Sequence, residues 1–515
     1  MALLRSLATV SGYTGLSRVL GFVRDVLIAS MLGTGPIADA FFVAFRLPNL
    51  FRRFFAEGAF NAAFVPLFAR KLEQVGKEAA RLFAERTQAL LLVVMLGLTV
   101  LALAFMPWLL YLLAPGFIDE PEKYALTVEL SRIAFPYLLF MTLVALMSGV
   151  LNSLYRFAEA AAAPVLLNAF FIAALVLVIP QSNSKGQLLA WTVSVAGVAQ
   201  LLLMVYACRR AGVTLRLPFP HWDDDMKRVI KLMAPGALSA GALQFNVMVG
   251  TIIASLQASA VSYLYYADRV YQLPLGLIGI AFAVVLLPDL SRKLRAGEDD
   301  AATSVLNRGL ELAMLLTLPA AFALMVIAQP IVIVLFERGA FDRPDSLATA
   351  WALAAYGAGL PAFVLIKLLQ TPYFAREDTV TPFKYALAGV AANIALSLAL
   401  FFPFGYVGLP AATSTAAWLN AALLLRNLDR RGFLDLDRRA RARLPRILIA
   451  SLAMAVALWA AELWLAPFLD GSLPLRALVL VLLVVGGGGL YGGLAITFKA
   501  ASLEDLTRLK PRRPA

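Results

Sequence analysis

The sequence predicts an all-α polytopic membrane protein of about fourteen transmembrane helices, two six-helix lobes in parallel repeat plus a C-terminal helix pair. Three observations predict it. Of 515 residues, 61% are hydrophobic and 15% charged, and the mean hydropathy is +0.80, far from the balance of a soluble domain. Apolar runs of about 20 residues, the length that crosses a bilayer as a helix, recur along the whole chain. Short motifs of the first lobe return at a nearly constant offset.

The apolar runs lie at 6–32, 36–69, 86–114, 125–151, 158–180, 187–208, 227–255, 262–290, 304–328, 346–371, 380–402, 407–426, 446–467 and 475–498. Backbone in hydrocarbon must satisfy its own hydrogen bonds, and runs this long do so as helices rather than barrel strands. With the N-terminus in the cytoplasm, 32 of the 45 Lys and Arg fall in cytoplasmic connections, five on the opposite side and eight inside spans. That asymmetry predicts cytoplasmic N- and C-termini and an even helix count. The net charge of +13 is then mostly loop charge facing anionic lipid, not a nucleic-acid surface.

Ile28-Ala29-Ser30 recurs as Ile253-Ala254-Ser255, Leu47-Pro48 as Leu273-Pro274, and Pro66-Leu67-Phe68-Ala69-Arg70-Lys71-Leu72 as Pro288-Asp289-Leu290-Ser291-Arg292-Lys293-Leu294, at offsets of 225, 226 and 222. The offset corresponds to six helices, so both copies share one orientation, a parallel repeat about an axis along the membrane normal. The expected organisation is a first lobe at 1–215, a second at 222–428 and an extra helix pair at 445–498.

The eight cations inside spans are Arg18, Arg24, Arg46, Arg52, Arg53, Arg132, Arg269 and Lys367. Each costs roughly 2.5–3.5 kcal/mol on the gentlest insertion scale, so such residues face water, a partner charge or a substrate. Arg132 and Lys367 lie near span ends, where snorkelling suffices. The acids nearby are Asp25, Asp39, Glu57 and Asp268, four against eight, which leaves a cationic surplus. Arginine's planar fork binds phosphate oxygens in pairs and stays charged. The pattern therefore predicts a cationic cavity for an anionic substrate, with Arg24 and Arg269 at similar depth and Arg18 and Arg52 below them.

Other chemistry is excluded or discounted. One cysteine, Cys208, forbids an intramolecular disulfide, and one histidine, His221, leaves no His- or Cys-based metal site. No Gly-x-x-x-x-Gly-Lys-Ser/Thr loop occurs, so no P-loop nucleotide cofactor is expected. Gly486 to Gly489 reads as a helix-packing face. The first span carries Arg18 and Arg24 and no small-residue cleavage site, so it reads as retained. Pro48, Pro136, Pro274, Pro288, Pro319 and Pro361 read as kinks.

The motifs themselves carry a resemblance. Ser17-Arg18-Val19-Leu20-Gly21-Phe22-Val23-Arg24-Asp25 resembles the first-helix motif of the MurJ (MviN) lipid II flippases. The segment from Ala38-Asp39-Ala40-Phe41 through Arg46-Leu47-Pro48-Asn49-Leu50-Phe51-Arg52-Arg53 to Glu57-Gly58-Ala59-Phe60 resembles the second-helix motif, and Tyr265-Tyr266-Ala267-Asp268-Arg269 the eighth. The resemblance spans essentially the whole chain. It implies the multidrug/oligosaccharidyl-lipid/polysaccharide exporter superfamily, a two-lobed cavity, and movement of undecaprenyl-diphosphate-linked peptidoglycan precursor across the bacterial inner membrane. It implies essential roles for Arg24, Arg52 and Arg269 and supporting ones for Arg18, Asp25 and Asp39, with Arg46, Asn49, Arg53, Glu57 and Asp268 secondary. It also implies a polyprenyl-tail groove on the last helix pair. Some members hold sodium with acids on helices seven and eleven; spans 227–255 and 380–402 contain none. The expected partners are lipid II and membrane lipid, with no nucleic acid and a monomeric protein. Another polyprenyl-diphosphate-linked glycan is the alternative substrate. A drug/cation antiporter would need a net acidic cavity.

Overall fold

The structure, a computed structural model, describes residues 2–55 and 59–501. The helices of the N-terminal half are α1 (Ala2–Leu32), α2 (Pro36–Phe55), α3 (Ala59–Gln74), α4 (Lys77–Ala104), α5 (Met106–Leu113), α6 (Pro121–Ala134), α7 (Tyr137–Ser153), α8 (Phe157–Ala173), α9 (Lys185–Arg210) and α10 (Asp224–Ser255). Then come α11 (Ala260–Arg295), α12 (Asp299–Val326), α13 (Ala328–Phe336), α14 (Arg343–Gly357), α15 (Leu360–Ala375), α16 (Val380–Phe404), α17 (Gly408–Arg430), α18 (Arg438–Leu465) and α19 (Leu473–Thr497). The all-α polytopic class holds. Among the described residues there is no named strand, only an isolated bridge between Arg338 and Phe341. Nine described segments are long and apolar enough to cross a membrane, and several contain two helices; the 51-residue segment Val380–Arg430 holds both α16 and α17.

The prolines divide by position. Pro48 stays inside α2 and Pro319 inside α12, and α11 runs unbroken through Pro274 and Pro288. At Pro136 the expected single span instead splits into α6 and α7, and Pro361 stands in the first turn of α15, just after α14 has ended. A proline in the first turn loses no intrahelical bond, because the first amides have no helical partner.

Two compact units result. The first contains the chain up to Ser262 together with the short segment Arg338–Phe341. Here α1 packs on α8, α2 on α6, α7 on α9, and α10 on α3. A phenylalanine ladder stiffens it: Phe64 stacks on Phe60, Phe68 and Phe83 at centroid distances of 5.2, 5.6 and 5.5 Å. Compact packing thus places α10 with the N-terminal helices, although the duplication counts it as the opening helix of the second copy.

The second unit holds Tyr263–Glu337 and the chain from Asp342 onward. One buried cluster joins Leu306 and Leu310 of α12, Leu368 and Tyr373 of α15, Leu424 of α17 and Ile447 of α18. Another joins Ile327 and Ile333 to Met454 and Leu458 of α18 and to Val479 and Leu483 of α19. The last two helices are therefore seated on α12 and α13.

Asp378, in the turn before α16, shows how a loop charge fixes such a unit. It accepts from the Thr381 amide at 2.9 Å, the Thr381 hydroxyl at 2.7 Å and Arg431 at 2.9 Å. The Thr381 amide first, then its hydroxyl and Arg431, hold the carboxyl below the usual carboxylate range. A carboxyl depressed in the folded state contributes stability above its unfolded pKa and loses it as pH falls through the folded value. On acidification from neutral pH, wild-type protein should lose melting temperature that Asp378→Asn has already lost. Parallel melting-versus-pH curves for the two would refute this account.

Candidate functional site

Arg24 on α1 is almost fully buried, 8% exposed, beside Asp25 at 2%. Its Nε and Nη2 both donate to Asp25 Oδ1, at 3.0 and 2.8 Å, and its Nη1 donates to Asn168 Oδ1 of α8 at 3.0 Å. The Asn168 amide donates in turn to the Ser17 carbonyl at 2.9 Å. The rings of Phe45 and Phe171 lie 5.9 and 5.3 Å from the guanidinium carbon, close enough for cation–π attraction. This is a preorganised fork: aimed by an amide, neutralised by one carboxylate, and shielded by two aromatic faces. Arg18, two turns earlier on α1, is exposed.

On α2 the polar residues take separate tasks. Arg46 Nη1 donates to the Thr251 hydroxyl of α10 at 2.6 Å. Arg52 Nε donates to Asn49 Oδ1 at 3.2 Å, and the Asn49 amide donates to the Phe45 carbonyl at 2.7 Å. Asn49 thereby orients Arg52 while tied to its own helix one turn back. The side chain of Arg53, and Glu57 altogether, lie outside the described residues.

Asp39 is fully buried and bonded on every side. It accepts from the Ser259 amide at 3.1 Å, the Ser262 amide at 3.0 Å and the Ser262 hydroxyl at 2.6 Å, and Lys123 Nζ lies 3.1 Å away. Ser259 holds φ at +60°, a conformation non-glycine residues avoid, and Asp39 bonds its amide there. The free amides at the start of α11 are thus capped by a carboxylate from α2 rather than by a local residue. Lys123 is 4% exposed and stands 4.1 Å above the Phe117 ring. Its partner was not legible in the sequence, where Lys123 sits with the loop cations and spacing matches Asp39 and Asp25 to the arginines seven residues away.

In the second unit, Arg269 of α11 lies over the Tyr265 ring at 4.7 Å, one turn back on the same helix face. Its neighbour Asp268 accepts from the Gln272 side chain. Lys367 of α15 is exposed. Among the described residues no three of His, Cys, Asp and Glu stand together as they would to hold a metal ion.

The sequence-expected arginines thus stand in helices with an orienting partner or ring. Comparison with known proteins places them in a family. Residues 28–479 match the family model described as Lipid II flippase MurJ. The chain belongs to the MurJ family. A "Probable lipid II flippase MurJ" of Rhizobium meliloti is 46% identical over 514 residues, covering 99% of this chain and 96% of that protein. The namesake from Rhizobium tropici is 43% identical, covering 100% and 98%. A "Lipid II flippase MurJ" of Burkholderia cenocepacia is 39% identical, covering 84% and 85%. Among solved structures, a MurJ flippase described as in the inward closed conformation superimposes with a TM-score of 0.79 at 24% identity, covering 95% of this chain and 98% of that one. An inward-facing MATE multidrug transporter superimposes at 0.69 with 13% identity, covering 81% and 95%. The two structural likenesses show the fold alone; membership of the flippase family, with its apolar helices, makes the chain a multi-pass membrane protein.

Sequence reasoning missed four residues that shape this MurJ-family site: Asn168, Thr251, Lys123 and Ser262. Asn168 and Thr251 carried a signal, as isolated polar residues in apolar spans that must bond across helices. Nothing local marked their partners, which lie 144 and 205 positions away.

Proposed function

We propose that this chain moves the undecaprenyl-diphosphate-linked peptidoglycan precursor, lipid II, from the inner to the outer leaflet of the bacterial cytoplasmic membrane by alternating access, without a catalytic step. Arg24, Arg52 and Arg269 bind the diphosphate. The observation that carries the reading is that a chain matching the MurJ model over residues 28–479 has Arg52 and Arg269 within that match and Arg24 four residues before it, all three on helices. A diphosphate supplies more acceptor oxygens than Asp25 does, so it can draw Arg24 away from that carboxylate. Arg18, Asp25 and Asp39 support the site, and Arg46, Asn49, Arg53, Glu57 and Asp268 have secondary roles.

The reading includes fourteen spans with both termini cytoplasmic, supported by the distribution of Lys and Arg. It includes lobes at 1–215 and 222–428, supported by the repeat, and a monomer without nucleic-acid partners. The helix pair at 445–498 holds the polyprenyl tail. Its support is the face of α19 where Gly486, Gly488, Gly489, Gly492 and Gly493 have nothing within 4 Å of an added Cβ, an open furrow among exposed Val481, Val484 and Val485.

The test is complementation of a lipid II flippase depletion strain. Ala at Arg24, Arg52 or Arg269 should abolish rescue while the protein still reaches the membrane, since losing one charge-assisted phosphate bond costs about 1.5–3 kcal/mol. Arg→Lys should rescue in part, because the bidentate fork is lost. Full rescue by all three Ala variants would end the proposal. Failure of the wild-type chain to complement, with export of another polyprenyl-diphosphate glycan, would shift the substrate.

A further inference from the structure

Two clasps in the first unit are copies of one another. Gly116, in the short turn Pro115–Phe117 between α5 and α6, lies against the end of α10. Its amide donates to the Ser255 hydroxyl at 3.2 Å, and a Cβ placed on it would stand 2.1 Å from the Ser255 carbonyl oxygen and 2.5 Å from the Leu256 Cα. Gly339, in the segment Arg338–Phe341, lies against the end of α1. The Ala340 amide donates to the Ser30 carbonyl at 2.8 Å, and a Cβ on Gly339 would stand 2.3 Å from that same oxygen. Backbone meets backbone in both, which only glycine permits.

The correspondence is internal. Ser30 and Ser255 are 225 positions apart, within the repeated Ile-Ala-Ser; Gly116 and Gly339 are 223 apart, as are Asp119 and Asp342. Each glycine therefore grips the serine of the other repeat: the turn of the first copy holds the helix end of the second, and the reverse. Ala29 and Ala254, beside the two serines, are 0% and 1% exposed. Gly339 also holds φ at +61°, so its turn is shaped for this contact and disfavours any side chain.

We infer that the paired Gly116–Ser255 and Gly339–Ser30 clasps are one reciprocal catch, holding this end of the first unit shut and releasing together when it opens. A contact made at two repeat-related places, by close main-chain approach and one neutral hydrogen bond each (to the Ser255 hydroxyl in one, to the Ser30 carbonyl in the other), closes tightly and yet leaves no buried ion unpaired when it parts. Bistable packing of this kind is what a conformational switch requires. The inference rests on the alternating-access reading but not on the identity of the substrate.

The experiment reads accessibility in full-length protein in membranes. In a Cys208→Ser background, single cysteines at Ala29 and Ala254 report the two helix ends, labelled by a membrane-impermeant maleimide. Both should be protected in the parent. Gly116→Ala should speed labelling at Ala29→Cys, and Gly339→Ala at Ala254→Cys, each by about tenfold or more, because a lost closing contact shifts a two-state population by its free energy. The crossed effect is the decisive one. If each glycine variant changes only its own partner's labelling, or neither, the clasps are independent packing contacts and the inference fails. If Gly116→Ala does not yield folded protein by size-exclusion and melting, Ser255→Ala removes only the hydroxyl acceptor, and the same crossed labelling at Ala29→Cys decides. Failure of the Cys208→Ser parent to move lipid II, with the crossed labelling as expected, would strike the proposed function and leave the catch intact.

Discussion

Asp39→Ala should destabilise this protein more than any other single carboxylate substitution. Its partner Lys123 is 4% exposed and would be left buried and uncompensated, together with the amides of Ser259 and Ser262. Breaking a buried pair on one side costs about 3–5 kcal/mol, whereas removing both charges is far milder. Thermal melting in detergent should therefore show a large loss for Asp39→Ala and for Lys123→Met. The double variant Asp39→Asn/Lys123→Met should recover part of it, since the side-chain amide oxygen introduced at position 39 still accepts from the serines. Additive losses in the double variant would mean that the two charges do not act as a pair. The same cap explains why Ser259 can sit at positive φ: its amide has a charged acceptor that offsets the backbone cost.

Glu311→Gln should loosen the seat of α18. Glu311 is 6% exposed and meets Arg308, Arg439 and Arg443, the last two at 3.3 Å each, while Arg308 also bonds Asp437 at the start of α18. Removing its charge leaves three guanidinium groups facing one another around a neutral amide. The arginines are partly exposed, 32%, 42% and 16%, so solvent screens the repulsion, and a loss of about 1–3 kcal/mol is expected rather than the full buried-pair value. Limited proteolysis at the α17–α18 connection should accelerate in Glu311→Gln, and Arg443→Met in that background should restore protection. An unchanged cleavage rate in Glu311→Gln would show that the apolar cluster of Leu306, Ile447 and their neighbours seats the helix alone. That apolar seat also bears on truncation: ending the chain before α18 would bare Leu458-facing residues such as Ile327 and Ile333, now 1% and 0% exposed.

Amino-acid order alone was enough for the membrane class, the helical content and the family. The reason is physical: hydrocarbon demands long apolar helices, and a charge placed within one is conspicuous because it is costly. Local rules read six prolines alike as kinks, and only the fold separated Pro136 and Pro361, at helix breaks, from the four that stay inside a helix. What the local rules could not supply was pairing. On helix spacing, Asp39 belongs with Arg46 and Arg53, seven residues apart; in the fold it bonds Lys123 and the amides before and within the first turn of α11. Arg46 turns to Thr251, and Arg24 is aimed by Asn168. The clasps show the same division. The repeat that relates Gly116 to Gly339 and Ser30 to Ser255 is written in the sequence, but that each glycine meets the opposite serine at main-chain distance depends on where the turns come to rest. Burial and helix formation are decided within a few residues; partners for buried polar groups are decided by whichever distant segment packing brings within about 3 Å.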